Sequence, residues 1–64
     1  MSFPMSKPAY LIRAARDAAG LTQAEASAAS GYSVSAIQKF EAGRRTPPAR
    51  AIQPLIEAIT NARR

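Results

Sequence analysis

Ser35, Gln38 and Lys39 stand three and four residues apart. A helix through them gathers a hydroxyl, an amide and an ammonium on one face, with the methyl groups of Val34 at its edge. Such groups donate and accept hydrogen bonds and suit a polar groove rather than an apolar pocket. Arg44 and Arg45 follow at once, two guanidiniums made for pairing with anions. Catalytic chemistry has far less material. The chain holds no cysteine and no histidine, which removes thiolate and imidazole metal ligands and every Ser-His or Cys-His nucleophile. The four carboxylates, Asp17, Glu25, Glu41 and Glu57, are too scattered for paired acid–base work. No enzymatic activity, no metal, no cofactor and no small-molecule ligand is expected.

The elements that must position these groups fit into 64 residues, one small domain. Nine Lys/Arg against four Asp/Glu leave a net charge of +5. Alanine is by far the commonest residue, so the core must come from a few larger side chains, from Tyr10, Leu11 and Ile12 through Leu21, Tyr32, Val34, Ile37 and Phe40 to Ile52, Leu55, Ile56 and Ile59. A domain of this size is marginal, and oligomerisation is a common remedy.

Glycine supplies the punctuation. Gly20, Gly31 and Gly43 each follow an alanine-rich or amphipathic stretch, the pattern of short helices ending in a left-handed residue. Alternating β-type segments are nearly absent, so the fold class is all-α, a bundle of four or five helices. The first helix is expected from Lys7 or Pro8 to Ala19, capped by Ser6 or Lys7, with Leu11, Ile12, Ala15, Ala18 and Ala19 as its apolar stripe. The second, from Gln23 to Ser30, opens with the capping box Thr22-Gln23-Ala24-Glu25, and its inward residues are small. The third, capped by Ser33, runs to Glu41 or Ala42 and turns Ile37, Phe40 and Glu41 inward. Beyond the Arg44-Arg45-Thr46-Pro47-Pro48 turn, Pro54 either kinks a single helix or sits in the first turn of a separate final one, and the favoured expectation is a short helical turn near 48–52 followed by a helix over 54–62. Residues 1–6 and 63–64 are expected to be flexible tails, the second of them basic, around a domain spanning 7–62.

Two helices of about eight residues joined by a turn at Gly31 make a helix–turn–helix, which presents its second helix to the major groove of DNA. The net positive charge, the polar outer face of that helix and the arginine turn beside it agree with this reading.

At these residues the chain resembles the Cro/C1-type (XRE-like) helix–turn–helix regulators, whose fold is lambda-repressor-like. The resemblance runs from Leu11-Ile12-Arg13-Ala14-Ala15-Arg16 through Gly20-Leu21-Thr22-Gln23-Ala24-Glu25 and Gly31-Tyr32-Ser33 to Ile37-Gln38-Lys39-Phe40-Glu41-Ala42-Gly43-Arg44-Arg45-Thr46-Pro47. It implies base reading by Val34, Ser35 and Lys39, with Gln38 adjacent. It also implies backbone contacts from Gln23, Arg44 and Arg45, with Ser33 at the helix start, and a structural ion pair between Arg16 and Glu41. The family usually carries a large aliphatic at Ala26, an alanine at Ser27 and an apolar residue at Ser30, so the second helix is underfilled here.

The implied function is sequence-specific binding of double-stranded DNA by a small transcriptional regulator of bacterial or phage type. Repression, even autorepression, by promoter occlusion is its simplest mechanism. Leu55, Ile56 and Ile59 are candidate contacts of a homodimer, which would favour a roughly palindromic operator. An antitoxin-like protein that binds a toxin, with DNA binding secondary, is the alternative. A membrane-surface peptide fits poorly, because the basic residues are dispersed over several short segments. With no apolar run long enough to span a bilayer and no secretory signal, the expected location is the cytoplasm, on the nucleoid.

Overall fold

Gly20, Gly31 and Gly43 all adopt left-handed backbone, with φ of 71°, 83° and 75°. A computed structural model describes residues 7–62, and over these the chain forms four helices: α1 (Lys7–Ala19), α2 (Gln23–Ser30), α3 (Val34–Ala42) and α4 (Ala49–Asn61). The expected tails at 1–6 and 63–64, and Ser6 as a cap, lie outside the described residues.

Local signals set the ends of the two central helices. The Thr22 hydroxyl accepts from the N–H of Glu25 at 3.1 Å, and the Glu25 carboxylate accepts from the N–H of Thr22 at 2.8 Å. Two of the donors that every helix start leaves over are satisfied reciprocally. Ser33 accepts from the N–H of Ala36 at 3.0 Å and opens α3. Gly31 ends α2, and its N–H donates to the carbonyl of Ser27. A side chain at Gly31 would meet nothing within 4 Å, so the need there is for the left-handed backbone and not for space.

The core joins all four helices. Ile12 of α1, Ala26 of α2, Ala36, Ile37 and Phe40 of α3, and Leu55 and Ile59 of α4 are buried together with Leu21 of the first turn. Tyr32 packs against them, its ring edge-on to Phe40 at 5.2 Å between centroids and 80° between planes. Helix α1 lies against α3 and α4, and α2 against the same pair. Ala26 is fully buried, so the small face of α2 is used for close approach.

Three expectations need correction. Tyr10 is not a core residue: it is 60% exposed, and its neighbour Ala9 is buried instead. The helical phase of α1 sets Ala9 with Ile12 on the inner side, and Ala18, expected in the stripe, is exposed. The chain after Pro48 is one helix rather than two, with Pro54 inside it. Pro54 lacks the N–H that would reach the carbonyl of Arg50, at a cost of about 3 kcal/mol. Both residues are exposed, so water can bond that carbonyl, and one apolar stripe from Ile52 through Leu55 and Ile56 to Ile59 continues across the proline. Burial of Leu55 and Ile59, each worth roughly 1.5–3 kcal/mol, outweighs the missing bond.

Candidate nucleic-acid interface

Helix α3 has two unlike sides. Ala36, Ile37, Phe40 and Glu41 are buried, and Ile37 is sealed completely at 0% exposure. Ser35, Gln38 and Lys39 are exposed, as is the cap Ser33, and Val34 is 38% exposed at the edge of the same face. Five of the residues singled out by sequence are thus exposed, four of them on the outward side of α3 and Ser33 at its cap.

The arginine turn is bonded to the end of that helix. Gly43 donates to the carbonyl of Phe40 at 3.2 Å, while Arg44 and Arg45 donate their backbone N–H groups to the carbonyl of Lys39 at 3.0 and 3.3 Å. Pro47 is buried and anchors the far end of the turn. The two arginines are not equivalent. Both are exposed, but the Arg45 guanidinium lies 5.8 Å from the centre of the Phe40 ring, a cation–π distance.

From Ser33 to Arg50 the only acidic residue is Glu41, and it is buried. The exposed charge over this stretch is therefore of one sign, carried by Lys39, Arg44, Arg45 and Arg50. Such a patch attracts polyanions at long range.

Glu41 is held by α1 and α2. Arg16 donates through Nε to Oε2 at 2.7 Å and through Nη2 to Oε1 at 2.9 Å, a bidentate pair across 25 residues of sequence. The third arm, Nη1, donates to the carbonyl of Leu21 at 3.0 Å and so ties down the turn before α2. The bond to Glu41 keeps the Arg16 guanidinium more firmly protonated than an ordinary arginine; burial opposes this, and the negative charges of Glu41 and Asp17 add to it. Gln23, the first residue of α2, donates from Nε2 to Oε1 of Glu41 at 3.3 Å. The Gln23 side chain therefore belongs to the same cluster as the ion pair, a link that sequence spacing alone does not show.

Two further residues shape the interface unannounced. The Ser27 hydroxyl donates to the carbonyl of Tyr32, and the Ser30 hydroxyl accepts from the N–H of Tyr32 at 3.3 Å. The positions that looked underfilled bind the turn between α2 and α3 by polar contacts in place of apolar packing. Serines five and two residues before a residue that follows a turn glycine are the signal that could have found them.

Of the three candidate dimer contacts, Leu55 and Ile59 are enclosed in the protomer's own core, and Ile56 is half-buried. Among the described residues no three acidic, histidine or cysteine side chains lie together to hold a metal ion, and no helix is long and apolar enough to cross a membrane.

Comparison with known proteins agrees with this geometry. Residues 9–60 match the family model of a helix-turn-helix domain. No curated protein and no solved structure matches the chain significantly. An exposed polar helix, a second helix packed across it and a match over most of the length place the chain among the helix-turn-helix domains, a family of XRE/Cro-like DNA-binding domains.

Proposed function

We propose that the protein is a sequence-specific regulator of transcription that lays α3 in the major groove of double-stranded DNA. Val34, Ser35, Gln38 and Lys39 read base edges. Gln38 suits the paired donor and acceptor of adenine, Lys39 the O6 and N7 acceptors of guanine, and Val34 the methyl group of thymine. Gln23, Ser33, Arg44 and Arg45 hold the phosphate backbone, with the N-terminus of α2 contributing its unpaired N–H groups. The regulator acts as a homodimer on a roughly two-fold operator and represses by occluding a promoter.

The observation that carries this reading is the exposed surface of α3 and its following turn, polar in the middle and uniformly positive beside it. Selection of duplexes from a randomised library, followed by affinity measurement of the winner across a salt series, tests it. A preferred site is expected, with log affinity falling by about 0.9 per neutralised phosphate for each unit of log salt. Binding that is undetectable, or indifferent to salt, would overturn the proposal.

A further inference from the structure

Among the described residues two large apolar side chains are exposed, Val34 and Tyr10. Val34 lies on α3 beside the polar reading face, whereas Tyr10 stands on α1 and has no part in that surface. At 100° per residue, Tyr10 is about 160° round α1 from the buried Ile12, on the outer side of the helix. Asp17 follows seven residues later, two turns on and about 10 Å along the axis. Arg13 and Ala14 fall between them, and the four line one open depression of the surface.

The groups on this face complement one another. One cation and one anion sit together in a chain whose net charge is +5. The Arg13 guanidinium and the Asp17 carboxylate are 3.8 Å apart, beyond hydrogen-bond reach, and both side chains are exposed. Arg16 also approaches Asp17 only to 3.7 Å. The other exposed carboxylates are engaged: Glu25 accepts from the N–H of Thr22, and Glu57 accepts from Nε2 of Gln53. Asp17 is the exposed carboxylate left with acceptor capacity, and it shares a face with an exposed phenol and an exposed guanidinium.

We propose that the outer face of α1 is a self-association surface, on which a second copy of this chain packs antiparallel about a two-fold axis level with the gap between Arg13 and Ala14. Tyr10 and Asp17 stand equally far from that level, so the axis sets each Tyr10 against the partner's Asp17, where the phenol can donate to the carboxylate. Ala14 puts a single methyl group at the crossing and lets the two helix axes come within about 8–10 Å. Two guanidiniums and two carboxylates then share one contact of zero net charge, the place where two copies of a +5 chain repel each other least. Leu55 and Ile59 cannot serve in this way, since both are enclosed in the protomer's own core. One helix face is a small interface, so the association is weak and rises with concentration.

This inference rests on the homodimer in the reading above and gives it a surface. Sedimentation of the full chain without DNA, across a concentration series, tests it. The wild-type protein is expected to pass from monomer toward dimer, and Tyr10→Ala to need about tenfold more protein for the same dimer fraction. Asp17→Lys makes the face doubly positive, and Arg13→Glu makes it doubly negative. Each alone is expected to remain monomeric, while an equal mixture of the two is expected to dimerise. All three positions are exposed, and circular dichroism is expected to show each variant folded.

Wild-type dimers that survive all three substitutions unchanged would overturn the role of α1, and their loss in Ile56→Glu alone would move the contact to α4. A wild-type protein that stays monomeric at every concentration would overturn this contact. Dimers that dissociate as expected in a protein that binds no duplex would overturn the regulator reading and leave the α1 contact standing.

Discussion

Arg16 and Glu41 meet through two hydrogen bonds of 2.7 and 2.9 Å, and the third arm of the same guanidinium holds the Leu21 carbonyl. One side chain therefore ties α1 to α3 and to the turn before α2. Arg16→Ala leaves the Glu41 charge buried without its partner and is expected to cost about 3–5 kcal/mol in urea unfolding. Stability should fall before sequence preference changes. Unchanged unfolding with lost DNA binding would place Arg16 on the DNA instead.

The pH dependence of that contribution follows from its sign. The folded state raises the affinity of Arg16 for its proton, so the stabilisation is complete at every pH below the ordinary arginine range and disappears only as pH climbs through the raised value. The chain has no histidine to titrate between about pH 5 and 8. The stability of the wild-type protein should accordingly be nearly flat across that interval. A wild-type stability that changes by more than about 1 kcal/mol there would contradict the assignment.

Arg44 and Arg45 are expected to separate in experiment. Replacing either by alanine should lower the slope of log affinity against log salt by about 0.9. Arg45→Ala should in addition lose about 0.5–1 kcal/mol of stability, because its guanidinium lies over Phe40. Equal stability of the two variants would mean that the Phe40 contact contributes nothing.

Ser27→Ala tests the polar clasp on the turn. Its hydroxyl bond to the Tyr32 carbonyl joins the end of α2 to the entrance of α3. The expected loss is about 1 kcal/mol, close to the net worth of one such bond, measured by thermal melting. A stabilised variant would show that alanine packs better here than serine bonds.

Dimerisation, if it uses α4, has Ile56 available together with Ile52, four residues earlier and also half-buried. Ile56→Glu is expected to leave the fold intact and to shift sedimentation from dimer toward monomer. A wild-type protein that sediments as a monomer both free and on DNA would remove the homodimer from the proposal.

Much of the framework could be read directly from the order of residues, because it is made by neighbours. Thr22 with Glu25, Ser33 with Ala36, and the glycines at 20, 31 and 43 act within one turn of chain, and the helix limits they imply are the ones observed. The polar face of α3 was legible for the same reason: its spacing is local. What escaped depends on distance. The bond from Gln23 to Glu41 spans 18 residues, and nothing in local periodicity selects it. Ser27 and Ser30 looked like defects in an apolar face because their partner is the backbone of Tyr32, to which only their spacing before the residue after Gly31 points. Pro54 carries a strong local veto on helix, yet the packing of Leu55 and Ile59 overrides it.

That proline also divides α4 mechanically. The ladder of hydrogen bonds lacks its rung from residue 54 to the Arg50 carbonyl, at the boundary between a first turn that continues the arginine stretch and a second half locked by Leu55 and Ile59. One rung fewer ties residues 49–53 to the remainder of the rod, so the end of α4 that follows the arginine turn leans on Ile52 and its neighbours for its alignment more than on its own backbone ladder.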